Sequence, residues 1–117
     1  MKDIKEKLTE LNELVLAGKA LEAFDKFYHN DVQMQENENL PTIGKEANLA
    51  REKEFYSKVT EFRGAEVRGV TIAEELSAVI WHYDYTHKEW GKRNYTQVSV
   101  QHWKEGLIVR EQFFYGN

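Results

Sequence analysis

The chain has 117 residues, no cysteine, and a formal charge of −4 from 16 basic and 20 acidic residues. That length suits one domain, residues 1–117, with a core that needs no disulfide, and the lack of cysteine excludes a thiolate metal site and a cysteine nucleophile. Twelve acidic and 9 basic residues precede position 61, and 8 and 7 lie from 61 onward, so no concentrated basic surface offers the phosphate neutralisation that nucleic-acid binding requires. The charged start, Met1 to Lys7, leads into an amphipathic pattern without the apolar run of a secretory signal or the roughly 20 apolar residues of a membrane span. The expectation is a cytoplasmic protein with no membrane or nucleic-acid partner.

In chain order, Ile4, Leu8, Leu11 and Val15 recur at spacings of four, three and four, which predicts a helix that Gly18 closes. A second, shorter helix carries Leu21, Phe24, Phe27 and Tyr28 on one side and stops at His29-Asn30-Asp31. Val32 to Glu36 reads as a short strand, and residues 37–44, with the only proline at Pro41, read as a loop. A third helix runs from Lys45 to about Lys58. Beyond Thr60 the helical period ends, and segments rich in Val, Ile, Thr and aromatics follow near 62–73, 77–88, 93–104 and 107–115. Short breaks at Glu74-Glu75, Glu89 to Lys92 and Glu105-Gly106 pair these strands antiparallel. The fold class is α+β: three helices from the N-terminal half on one face of a long, curling sheet, with a pocket left open at one end.

Four segments carry a resemblance. Val15-Leu16-Ala17-Gly18-Lys19 is similar to an "LxAGD" helix break, and Phe27 to Glu36 to an "FYADDVxxED" passage into the first strand. Ile43-Gly44-Lys45-Glu46-Ala47 is similar to a "G-x-x-A" helix start. Val100 to Val109 with Glu111 to Tyr115 is similar to a closing "F-x-x-GKI-x-x-x-x-xY" hairpin. In this order they resemble the nuclear-transport-factor-2-like superfamily, in particular its SnoaL-like polyketide cyclase and ketosteroid isomerase branches. The resemblance implies a cone of strongly curved sheet, helices on its concave side, a deep pocket between them, and dimerisation through the sheet.

Alternation assigns the faces. Val79, Trp81, Tyr83, Tyr85 and His87 share one face of their strand, and this aromatic row suits the concave side. Val109, Glu111, Phe113 and Tyr115 fall inward on the last strand. Gln97, Ser99, Gln101 and Trp103 share a face that the resemblance, not hydrophobicity, selects as inward. The expected ligand-binding set is therefore Met34, Trp81, Tyr83, Tyr85, Gln97, Gln101, Trp103, Phe113 and Tyr115. The resemblance puts Glu36 where ketosteroid isomerases hold their proton-moving carboxylate, and an aromatic, water-poor surrounding would raise its pKa. Glu111 is a second candidate acid, and His87 or Tyr83 could donate to an oxyanion. The plainer alternative is that Glu36, in Glu36-Asn37-Glu38-Asn39, is only a solvated loop residue.

Two departures count against isomerase chemistry: Leu11 stands near the expected tyrosine, and Gln101 replaces the second acid. His29, His82, His87 and His102 lack the paired spacing of zinc motifs, so no metal and no cofactor is expected. Three functions stay open: a cofactor-independent proton-transfer enzyme (isomerase, cyclase or dehydratase), a non-catalytic binder of a small molecule, and an interaction module. Ile80, Val98, Val100 and Phe114, apolar on the outer face, predict a homodimer under all three.

Overall fold

The computed structural model describes residues 3–116; Met1, Lys2 and Asn117, which the single-domain reading includes, lie outside the described residues. Helix α1 (Ile4–Leu16) begins at Asp3, whose carboxylate accepts from the Glu6 N–H at 2.9 Å. It ends in a Schellman motif, in which Lys19 N–H reaches Leu14 O (2.7 Å) and Gly18 N–H reaches Val15 O (3.1 Å). Gly18 takes φ 78° there, a conformation that costs glycine no Cβ clash. Helix α2 (Ala20–Phe27) follows at once.

Strand β1 (Tyr28–Glu36) starts four residues earlier than the sequence pattern suggests, so His29 and Asp31 belong to a strand and not to a helix end. The predicted loop contains a two-residue strand, β2 (Thr42–Ile43), which pairs with β1. Helix α3 (Lys45–Ser57) is pinned to this edge by the buried Asn48, whose amide donates to the carbonyls of Val32, Thr42 and Gly44. The long strands β3 (Val59–Ala73), β4 (Leu76–His87), β5 (Gly91–Lys104) and β6 (Leu107–Tyr115) form an antiparallel meander. The two-residue β5–β6 turn has positive φ at both Glu105 (53°) and Gly106 (83°), as a type I′ hairpin requires.

The sheet order is β2-β1-β6-β5-β4-β3, and β1 runs parallel to β6. The sheet is thus mixed, because β1 reaches β6 through everything between them and not through a hairpin. Three register shifts in β3 bend that strand. Another, opposite His102 and Trp103, leaves Val109 without a partner. It reverses the alternation expected for β6: Ile108, fully buried, takes the core position that Val109 was expected to fill. The core joins Leu8 and Leu11 of α1 and Phe24 and Phe27 of α2 to Val32, Val79, Trp81, Trp103 and Ile108 of the sheet. It fills one end of the concave face and leaves the other open.

Candidate functional site

Between the helices and the concave face lies a cavity of about 1410 Å³. Common small-molecule sites occupy roughly 300–1,000 Å³, so this one has room for a small organic ligand of ordinary or larger size. The sheet brings in Trp81, Tyr83, Tyr85 and His87 from β4, Gln97 and Gln101 from β5, Glu111, Phe113 and Tyr115 from β6, and Met34 and Glu36 from β1. All of these were expected. Trp103 is the correction: it lies beneath the floor, packed in the core, and does not line the cavity.

The floor is a single polar row across the strands, because Ser77 pairs with Gln101, Gln101 with Glu111, and Glu111 with Met34. The Trp103 indole N–H donates to Ser77 Oγ (2.9 Å), the Ser77 hydroxyl to Gln101 Oε1 (2.7 Å), and the Gln101 amide to Glu111 Oε2 (2.8 Å). The Tyr28 hydroxyl donates to Glu111 Oε1. The indole N–H can only donate, so Ser77 Oγ accepts from it, and with the Ser77 hydroxyl donating to Gln101 Oε1 the Gln101 amide presents its N–H to Glu111. Glu111 Oε2 is therefore held as an acceptor, and a proton on this carboxyl sits on Oε1, beside Tyr28.

Glu111 is only 3% exposed. Burial pushes its carboxyl up to about 7, against the opposing pull of the bonds from Tyr28 and Gln101. Burial and the Glu111 charge together push the Tyr28 hydroxyl well above its ordinary range, so it remains a donor.

Glu52 of α3, unmarked in the sequence reading, faces the same cavity. Burial, and then the charges of Glu111 and Glu36, raise its carboxyl to about 7, with Arg51 opposing. It makes no hydrogen bond with any described residue. Tyr83, which also lines this cavity, is pushed up as well, first by burial. The spacing Asn48, Glu52, Phe55 is a helical stripe that points inward, but its polar members hid it from a search for apolar periodicity.

Glu36 occupies a different setting from the water-poor one expected. Its side chain is 39% exposed and forms an ion pair with Arg51 at 2.9 Å. Its other oxygen accepts from the Tyr115 hydroxyl at 2.8 Å. His87 sits at the far end of β4 from Ser77. Its Nδ1 accepts from the Glu89 and Trp90 N–H groups (3.1 and 3.3 Å), and its ring stacks on Trp90 at 3.8 Å. Nε2 therefore carries the proton, and the imidazole ties down the β4–β5 turn at the mouth. Among the described residues no group of three or more His, Asp or Glu is arranged to hold a metal ion, and no helix is long and apolar enough to cross a membrane.

Fold and cavity define a small α+β pocket protein of the cone type. The profile of the SnoaL-like domain matches residues 2–115, and the chain belongs to this family, within the nuclear-transport-factor-2-like superfamily. A Mesorhizobium loti protein described as a SnoaL-like polyketide cyclase superposes with a TM-score of 0.88 at 24% identity, covering 97% of this chain and 100% of that one. A protein of unknown function from Burkholderia pseudomallei gives 0.83 at 14% identity, with 99% and 92% covered. A Catenulispora acidiphila protein with a ketosteroid isomerase-like fold, solved with trimethylamine, gives 0.77 at 12% identity, with 95% and 85% covered. At these identities the likeness establishes the fold. No curated protein matches the sequence.

Proposed function

We propose that the protein binds a small organic molecule in this cavity and moves a proton on it without a cofactor, as an isomerase, cyclase or dehydratase does. Glu111 is the acid–base group. The observation that carries this reading is a carboxylate 3% exposed at a cavity floor, oriented by a fixed hydrogen-bond chain. With its carboxyl at about 7, both protonation forms are populated near neutrality, which suits a group that takes a proton and returns it. The anionic form accepts at Oε1, where a second lone pair remains beside the Tyr28 bond, and gives the proton back to another atom of the same ligand. Glu52 offers a second carboxyl in the same cavity.

Glu36 takes a positioning role in this reading, since Arg51 and Tyr115 already engage both its oxygens. The glutamine at position 101 speaks against ketosteroid isomerase chemistry, for an amide cannot act as an acid. It favours the cyclase-like branch, in which one acid–base group near an acidic C–H suffices.

The test is thermal melting against planar, carbonyl-bearing metabolites. A ligand at about 100 times its dissociation constant adds roughly 2.7 kcal/mol of stability. Glu111→Gln should keep the melting shift and lose turnover of the ligand found. A flat panel, or turnover that survives Glu111→Gln, would overturn the assignment.

A second reading concerns the convex face, where Ile80 and Phe114 are 40% and 39% exposed beside the half-buried Val98 and Val100. They line up across β4, β5 and β6, Ile80 opposite Val98 and Val98 opposite Phe114. We propose that a second copy of the chain covers this patch, making a homodimer.

A further inference from the structure

The chain has five arginines. Arg51, Arg63, Arg68 and Arg110 each donate to at least one oxygen-bearing side chain. Arg93 donates to none of the described residues, and its Nε is buried without a partner. It stands on the inward face of β5, in line with Tyr95, Gln97 and Gln101, and lines the cavity. Its guanidinium lies over the Tyr95 ring, 4.8 Å from the centroid, which fixes its direction but satisfies no N–H. The acidic groups that share this end of the cavity are engaged elsewhere: Glu61 pairs with Arg63, Glu89 with Lys58, and Glu36 with Arg51. A permanently charged fork of donors turned into a cavity and left unpaired is a site for an anion.

We propose that Arg93 binds the anionic end of the ligand (a carboxylate, sulfonate or phosphate), and so selects elongated, flat molecules charged at one end. Eight residues of β5 separate Arg93 from Gln101, which holds Glu111. That is an extended path of about 26 Å, shortened by the curl of the sheet and the reach of both side chains. β6 ends opposite Gln97, so Arg93 lies beyond the last β6 pair, at the mouth. The ligand thus enters with its reacting end toward Glu111, and its charge stops at Arg93. Trp81, Tyr83 and Tyr95 lie between, with Tyr85 opposite Arg93, as a surface for an unsaturated body. This assignment rests on the cavity being the ligand site, and it adds which ligands are taken and which way round.

The experiment uses two fluorescent probes that differ by one sulfonate: 8-anilinonaphthalene-1-sulfonate and the neutral N-phenyl-1-naphthylamine. Wild type should bind the sulfonate at least about tenfold more tightly, the effect of one charge-assisted hydrogen-bond pair. Arg93→Gln should abolish that preference by weakening only the sulfonate, and Arg93→Lys should keep part of it; thermal melting of both variants confirms folding. Equal binding of the two probes to wild type, or a preference that survives Arg93→Gln, would overturn the role of Arg93 while leaving the cavity reading intact. A probe lodged on the convex face would be indifferent to Arg93 and gives the second of these results. Binding of neither probe would overturn the cavity reading and the Arg93 assignment together.

Discussion

On the concave face of β5, Gln97, Ser99 and Gln101 are buried, while on its convex face Val98 and Val100 stay half-exposed beside Ile80 and Phe114. A strand that served only to build a core would carry these residues the other way round. Burying an amide is unfavourable by several kcal/mol unless its hydrogen bonds are remade. At Gln101 they are, through Ser77 and Glu111. On β5 the concave face is therefore a polar row held inside the protein, and the convex face is apolar and half-exposed. On this strand the distribution of hydrophobicity alone would have assigned the two faces in reverse, whereas on β4 the aromatic row assigns them correctly.

The largest effect expected from this contrast comes from making the inner face ordinary. Gln101→Leu is nearly volume-preserving, yet it leaves the Ser77 O–H without an acceptor and Glu111 Oε2 without a donor. It should destabilise the protein by about 2–4 kcal/mol in urea unfolding at pH 8, where Glu111 is charged, and by less at pH 5. A neutral result would mean that the polar row is not what orders the floor.

Glu111→Gln sharpens the same point through pH. The Glu111 carboxyl rises from 4.5 to about 7 on folding, so the native state binds its proton more tightly than the unfolded chain does. Its contribution to stability is complete below pH 4.5 and is lost as pH rises through 7. Replacing it by glutamine should raise stability at pH 8 by about 1–3 kcal/mol and change little at pH 4.5, seen as a flatter stability–pH curve. Glu52, raised to about 7 as well, should preserve part of the slope in the variant.

Glu36→Gln should move stability by less than about 1 kcal/mol, since its ion pair with Arg51 is partly solvated. A larger loss would shift attention back to the Glu36–Arg51–Tyr115 group. Least of all in fold stability, Phe114→Asp should leave the unfolding of the single chain almost unchanged while halving the mass in sedimentation. An unaltered mass would remove the convex face from the account.

Much of this arrangement was legible in the residues. Strict alternation places Trp81, Tyr83, Tyr85 and His87 on one side of β4, and tight turns at Glu74 and Glu105-Gly106 set the meander. What escaped has identifiable causes. Tyr28 continues the stripe of Phe24 and Phe27, so it read as helix although it opens β1. The parallel pairing of β1 with β6 joins residues more than 70 positions apart, and no local signal encodes it. The unpaired Val109 is a one-residue irregularity that reverses alternation without any glycine or proline to announce it. Glu52 and Arg93 were missed for a common reason: a charged residue in a charged stretch, Glu52 within Arg51 to Glu54 and Arg93 after Lys92, reads as solvated, and only the closure of the cavity around it shows otherwise. Glu111 was named from its strand face. The partners that give it a role, Tyr28, Ser77 and Trp103, come from strands that only the sheet assembles.

The most direct test is a pH titration of the glutamate side-chain carboxyls by carbon-13 NMR, in wild type and in Glu111→Gln. The account predicts that two carboxyls titrate near pH 7 in wild type, and that one of these resonances disappears in the variant while the other persists. If every glutamate of the wild type titrated below about pH 5, Glu111 would hold no proton near neutrality, and its assignment as the acid–base group would be contradicted.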